Sequence, residues 1–155
     1  MALVYRVVRQ KYADRPLDVA GTRLNGGRWN PPGVGILYTA EHPALALVEI
    51  LVHMPQVPYE HLPSYRLFTL EIPENSQRMV KPEELLPYWN ENTYARSQYL
   101  LQDWLTKPDT LALGVPSSVL PAGINYLLHA SHPQFADIRI VAESDLVIDP
   151  RLRNG

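Results

Sequence analysis

ILYTAEHPALALVEILVHM, residues 36–54, places a strand directly before a helix. Ile36 to Thr39 is a short run of strand-favouring side chains that ends where the helix begins. The helix is predicted over Pro43 to Met54, with Pro43 in the first turn, where the fixed φ and missing N–H of proline are tolerated. Ala44, Leu45, Leu47, Val48, Ile50, Leu51 and Val52 leave almost no polar side, so the helix is predicted to be buried over most of its surface. Glu49 stands out against them. At helical spacing His42, Ala46, Glu49 and His53 form one stripe. That stripe is either the solvated side of the helix or the wall of a cleft, where a partly desolvated carboxylate gains hydrogen-bonding power.

Working outward, strands are predicted at Leu3 to Val8, Tyr65 to Ile72 (the alternating YRLFTLEI), Thr110 to Val115 and Asp137 to Val141, with short ones around Val119 and Tyr126. A second helix is predicted over Thr93 to Thr106, capped by Asn92 or Thr93 and stopped by Pro108, with Tyr94, Leu101, Trp104 and Leu105 on its packing face. Fifteen prolines spread from Pro16 to Pro150, which breaks long helices and central strands and excludes a helical bundle. The fold class is α+β, in one domain spanning residues 1–155, without repeats or linkers.

The composition excludes more than it selects. At 46% hydrophobic and 19% charged residues, the chain can bury a core. It contains no cysteine, so disulfides, thiolate metal sites and cysteine nucleophiles are absent, and a cytoplasmic location fits. The start, MALVYRVVRQ, lacks the layout of a signal peptide, and the longest apolar stretch is interrupted by Glu49, so neither secretion nor a membrane span is expected. The net charge of -2 argues against a basic nucleic-acid binder. Its distribution is uneven. Through residue 28, Arg6, Arg9, Lys11, Arg15, Arg23 and Arg28 face only Asp14 and Asp18, a local excess of +4. Arginine supplies 11 of the 14 basic residues, and its planar fork suits phosphate and carboxylate. This end of the chain is either a site for a small anion or a solvated basic edge.

The least ordinary segment is Gly26-Gly27-Arg28-Trp29-Asn30-Pro31-Pro32-Gly33. A glycine pair permits close backbone approach and the two prolines stiffen the chain beyond Asn30, so Arg28 is presented from a fixed position, in a site or in a decorated turn. The glycine spacing matches neither a phosphate-binding P-loop nor a dinucleotide fingerprint. Ser117 and Ser118 lie between Pro116 and Pro121, which turn chemistry explains, and the nucleophile elbow of serine hydrolases is missing. His42, His53, His61, His129 and His132 include no HExxH pair, so no metal is expected.

Taken in order, Tyr5-Arg6, the Gly26 to Asn30 segment, Leu37-Tyr38-Thr39-Ala40, the apolar helix with Glu49 to His53, and Pro116-Ser117 resemble the RES domain, a family named for an arginine, a glutamate and a serine. The resemblance runs from about Tyr5 to Leu146. Matched by position, Arg28 is the family arginine, Glu49 the glutamate and Ser117 the serine, with Ser118 one residue away as the alternative. Arg6 and Tyr38 match further active-site positions. The segment from Asn125 to Pro133 departs from the family, which has Asn-Pro after the paired leucines.

The resemblance implies the toxin half of a bacterial RES/Xre type II toxin-antitoxin module. The implied fold is ADP-ribosyltransferase-like, with two β-sheets and flanking helices around an NAD cleft. NAD is then the substrate, and no separate cofactor is implied. The implied reaction breaks the nicotinamide–ribose bond and passes ADP-ribose to water or phosphate, with a protein acceptor as the rival. Arg6 and Arg28 would hold the phosphates, Glu49 would offset charge on the ribose, Tyr38 would stack near the nicotinamide, and Ser117 would orient the carboxamide or ribose. Implied partners are an Xre-type helix-turn-helix antitoxin, which alone would contact DNA, and a second toxin copy within a hetero-oligomer. The rival of another class is a non-enzymatic interaction domain, which would leave Glu49 on open solvent with no cleft.

Overall fold

Alternation decides which way each strand faces. In β1 (Ala2–Arg9), Val4, Arg6 and Val8 share one face and Tyr5 and Val7 the other. In β3 (Tyr65–Ile72), Phe68, Leu70 and Ile72 are buried while Leu67, Thr69 and Glu71 are half-buried. The computed structural model describes residues 2–153 other than 86, 88 and 91–93. Its remaining strands are β2 (Ile36–Ala40), β4 (Gln77–Met79), β5 (Ala112–Pro116), β6 (Ile124–His129) and β7 (Arg139–Leu146). Among the described residues four α-helices accompany them: α1 (Ala20–Asn25), α2 (Pro43–Val52), α3 (Ala95–Leu100) and α4 (Gln102–Thr106).

The strands form one seven-stranded sheet in the order β4-β5-β6-β2-β1-β3-β7. The two sheets expected from the family resemblance are thus two halves of one sheet, joined at a narrow seam. β1 pairs with β3 all the way from Ala2↔Ile72 to Arg9↔Tyr65, and β2 pairs with β6 from Ile36↔His129 to Ala40↔Asn125. Between the halves, β1 and β2 meet only at Tyr5↔Ala40. Past that pair the two strands separate.

Each face of the sheet carries a core. Leu37 and Leu128 sit opposite each other and join Val4, Val8, Phe68, Leu70 and Ile72 on one side. Ile36 and Leu127, one residue earlier on each strand, join Trp29, Leu101, Trp104 and Leu105 on the other. His129 closes this second core. Its Nδ1 accepts from the Ser131 N–H at 3.1 Å, which puts the ring proton on Nε2, 2.9 Å from the Leu105 carbonyl. The ring also meets Trp104 edge-on.

The α+β class stands, and several elements differ in extent. The helix predicted over Thr93 to Thr106 is broken into α3 and α4 at Leu101, with Tyr94 as N-cap; the cap residues proposed for it, 92 and 93, lie outside the described residues. Leu101, Trp104 and Leu105 are buried as predicted, but Tyr94 is exposed. Helix α2 is not buried on most sides. Only Leu45 and Ala46 are buried, Leu47, Ile50 and Leu51 are half-buried against Met54, Tyr65 and Ile148, and Ala44 and Val52 are exposed, because the helix covers the seam from one side and turns the other to solvent. No strand forms at Val119, which lies in the turn between β5 and β6. Strand β7 starts two residues later than predicted and runs on to Leu146. Its AESDL portion carries no apolar alternation because the strand is an edge with its side chains in solvent. Helix α1 and the three-residue β4 had no periodicity to announce them. Among the described residues, no helix is long and apolar enough to cross a membrane.

Candidate active site

The separation of β1 from β2 opens a cleft of about 680 Å³, roofed by α2. Arg6, Arg28, Tyr38 and Glu49 all line it, and Ser117 stands immediately behind Glu49. Five residues spread over more than a hundred positions of sequence therefore converge, which a purely solvated basic edge would not require.

The arginine-bearing loop is held from three directions. Gly26 has φ +74°, a conformation that glycine adopts at little cost. A Cβ on Gly27 would lie 2.6 Å from the Tyr38 hydroxyl, so no side chain fits there without moving Tyr38. The loop closes on itself through the Gly27 N–H, which donates to the Asn30 carbonyl at 2.8 Å. Asn30, fully buried, donates from Nδ2 to the Val34 carbonyl at 2.8 Å and accepts the Tyr38 hydroxyl proton on Oδ1. The Trp29 N–H donates to the same Tyr38 oxygen at 3.2 Å. From α3, Ser97 donates to the Arg28 carbonyl, and Gln98 Nε2 donates to the carbonyls of Gly27 and Asn30 at 2.7 and 3.0 Å. The backbone of Arg28 is thereby fixed. Its guanidinium lies 4.8 Å from the Tyr94 ring centroid, a cation–π distance.

Tyr38 thus presents its ring to the cleft while its hydroxyl serves the loop. Burial raises its pKa well above the usual phenol value, with hydrogen bonds from Trp29 and Asn30 working the other way. It is a neutral phenol at physiological pH.

Arg6 enters through the seam. It projects from the face of β1 opposite Tyr5 and donates from Nη1 to the Tyr38 carbonyl and from Nε to the Pro16 carbonyl, both at 3.0 Å. Burial pulls its guanidinium down to about 10, opposed by the charge of Asp18, so it remains cationic at neutral pH. Two of its donors hold backbone, and its contribution to the cleft is a buried positive charge.

Glu49 comes from the middle of α2. Its Oε1 accepts from the Ser117 hydroxyl at 2.5 Å and from Asn125 Nδ2 at 2.7 Å. The Ser117 oxygen in turn accepts from the N–H groups of Val119 and Leu120 at 3.1 and 3.0 Å, which is the turn chemistry expected of a serine between prolines. Ser117 is itself buried and does not line the cleft. Its hydroxyl orients Glu49, where the family resemblance had suggested direct contact with a ligand. Ser118, half-buried, lines the cleft.

The stripe predicted on α2 resolves into both alternatives. Ala46, Glu49 and His53 face the cleft, whereas His42 caps the helix by accepting the Ala44 N–H on Nδ1 at 3.1 Å and stays exposed. His129 and His132 take no part in the cleft. Sequence reasoning missed Asn125, a strand residue with no motif around it, and gave Tyr94 to the packing face of a helix when it stands at the cleft beside Arg28.

Chemically, the cleft offers a carboxylate fixed through one oxygen, two arginines, and the rings of Tyr5, Tyr38 and Tyr94. This suits a ligand that carries both anionic groups and a planar ring. Comparison with known proteins agrees in extent. The model of the RES domain family matches residues 3–149. A protein named Toxin Res from Yersinia enterocolitica is 29% identical over 153 residues, covering 97% of this chain and 99% of its own length. A second Toxin Res, from Pseudomonas putida, is 33% identical over 141 residues, covering 91% of this chain and 94% of its own. A Prs ADP-ribosylating toxin from Sphingobium is 32% identical over 146 residues, covering 91% and 89%. Among solved structures, the MbcT-MbcA toxin-antitoxin complex of M. tuberculosis contains a chain that superposes with a TM-score of 0.74 at 18% identity, covering 94% of this chain and 84% of that one. That likeness concerns the fold.

Proposed function

The chain belongs to the RES domain family, and from that premise we propose that it is the toxin of a bacterial toxin-antitoxin pair. In this reading it is an enzyme that cleaves the nicotinamide–ribose bond of NAD and passes ADP-ribose to water or phosphate. The observation that carries it is Glu49: a carboxylate with Oε1 held by Ser117 and Asn125, set in a cleft with Arg6, Arg28 and the Tyr38 ring.

Rupture of that bond builds positive charge on the ribose, as in glycoside hydrolysis. Glycosidases need a second carboxyl group to protonate the departing oxygen. Nicotinamide leaves a cationic pyridinium as a neutral molecule, so a single carboxylate suffices. Glu49 accepts a ribose hydroxyl and offsets the developing charge, and its fixed orientation removes reorganisation from the reacting step. Arg28 supplies a guanidinium on an immobile loop for the diphosphate, and the buried charge of Arg6 adds to the same field. Tyr38 gives the nicotinamide a ring to stack on.

The name of the Sphingobium relative, an ADP-ribosylating toxin, favours a second acceptor, a protein, without altering the cleft. The toxin-antitoxin complex among the structural neighbours supports an antitoxin partner here. We assign that partner the Xre helix-turn-helix type, with DNA contact through it alone, and a second toxin copy in the assembly.

The test follows nicotinamide release from NAD by antitoxin-free protein and by Glu49→Gln, with and without phosphate, and identifies the second product by mass. Release that depends on Glu49 supports the reaction, and the product names the acceptor. Folded protein that leaves NAD intact both alone and in cell lysate would favour an interaction role instead.

A further inference from the structure

Asn125 is the second residue of β6, opposite Ala40 of β2 and Val115 of β5. Its orientation is unambiguous. A carboxylate can only accept, so the amide atom 2.7 Å from Glu49 Oε1 is the NH₂ nitrogen. The other amide atom, Oδ1, is a buried acceptor with no hydrogen-bond partner, the one such side-chain atom among the described residues. Leaving a buried acceptor unpaired disfavours the folded state unless something else supplies a donor. Asn125 belongs to the wall of the cleft, so a ligand seated there can supply it once the atoms that cover Oδ1 give way slightly.

Glu49 shows the matching feature. Both protein donors converge on Oε1, and Oε2 has no partner among the described residues. The hydrogen bond between the two side chains joins two groups that each keep one unpartnered acceptor, Glu49 Oε2 and Asn125 Oδ1. Two adjacent acceptors on two rigidly joined groups call for two adjacent donors. A vicinal diol has that form, with two hydroxyls on neighbouring carbons.

We propose that Asn125 contacts the substrate: its Oδ1 accepts one hydroxyl of the ribose that bears the nicotinamide, while Glu49 Oε2 accepts the neighbouring one. The assignment rests on the NAD-cleaving function above. It makes Asn125 a determinant of specificity for an intact ribose diol as well as a positioning residue for Glu49.

The experiment compares wild type with Asn125→Ala on NAD and on its two analogues lacking the 2′- or the 3′-hydroxyl of the nicotinamide ribose. On NAD, loss of the acceptor lowers kcat/KM by about 10- to 100-fold. On one of the two analogues the penalty is smaller than on NAD by about 3-fold or more, because the hydroxyl and its acceptor have both been removed and only the positioning of Glu49 remains to lose. An equal penalty on NAD and both analogues would show that Asn125 acts only through Glu49, and an unchanged rate on NAD would show that it does not act; either overturns the assignment. Should Asn125→Ala not fold, Asn125→Ser, whose shorter side chain cannot reach the same point, goes through the same comparison. Wild-type protein that releases no nicotinamide from NAD would overturn the reaction, and this assignment with it.

Discussion

Arg6 Nη1 donates to the Tyr38 carbonyl at 3.0 Å, bridging β1 and β2 beyond the one position, Tyr5↔Ala40, where their backbones pair. The cleft exists because the two strands part there, and a guanidinium keeps the parting from leaving backbone acceptors unpaired. The second bond from Arg6, to the Pro16 carbonyl, ties the segment before α1 to the same point. Arg6 therefore braces the seam as well as lining the cleft, whereas Arg28 reaches across to the Trp89 carbonyl at 3.5 Å and the Tyr94 ring.

Arg6→Ala is expected to destabilise the fold, since it exposes two carbonyls to an unpaired environment at roughly 1–3 kcal/mol each. For a chain of this size the melting temperature should fall by roughly 4 °C or more. Lysine at position 6 should recover only part of the loss, because an ammonium lacks the planar fork that reaches both carbonyls. Arg28→Ala, which loses a 3.5 Å bond to the Trp89 carbonyl and the Tyr94 contact, should lower the melting temperature less than Arg6→Ala and raise KM for NAD, a contrast that paired thermal melts and kinetics would check.

Ser117→Ala removes one of the two donors on Glu49 Oε1. It should lower kcat by roughly 10-fold with little change in KM, whereas Glu49→Gln should cost roughly 10²- to 10³-fold in kcat. Ser118, which lines the cleft but makes no hydrogen bond to Glu49 among the described residues, should matter less to kcat, with Ser118→Ala losing a smaller factor than Ser117→Ala. Equal losses from the two serine substitutions would contradict the positioning role given to Ser117.

Gly27→Ala places a methyl group 2.6 Å from the Tyr38 hydroxyl and 3.1 Å from its Cζ. The variant should lose about 1–3 kcal/mol of stability and much of its activity, as the loop shifts and carries Arg28 with it. Tyr38→Phe alone leaves the Trp29 N–H and Asn30 Oδ1 without their partner and should also destabilise. In the double variant the closest clash is gone, so its loss should be smaller than the sum of the two. Denaturant melts of the four proteins would measure the difference.

His129 provides a pH dependence. Burial lowers its pKa, with the bond to Leu105 opposing and His132 adding to the shift. The unfolded chain, near the ordinary value of about 6.5, then binds the proton more readily than the folded one. Stability from this residue is complete above about pH 6.5 and declines as pH falls from there toward the lowered folded value. The fall in melting temperature between pH 7 and pH 5.5 should be smaller in His129→Gln than in wild type.

Much of the fold was legible because strand and helix patterns are local. YRLFTLEI became β3 at its predicted bounds, and Pro43 opens α2 as its chemistry allows. Patterns misled where burial was incomplete. Helix α2 looks like an interior helix, yet one side meets solvent, and the strand predicted to end at Val141 runs on to Leu146 because an edge strand needs no apolar face. Local pattern sufficed for the class of fold, for the glycine loop that carries Arg28, and for the isolation of Glu49 in an apolar helix, each a property of neighbouring residues. Where β1 and β2 part, that Arg6 fills the parting, that Ser117 stands behind Glu49, and that Asn125 beside it keeps an unpartnered acceptor all depend on the folded chain. Those relationships join strands and loops distant in sequence, and a hydrogen bond between such residues leaves no trace in the periodicity of either.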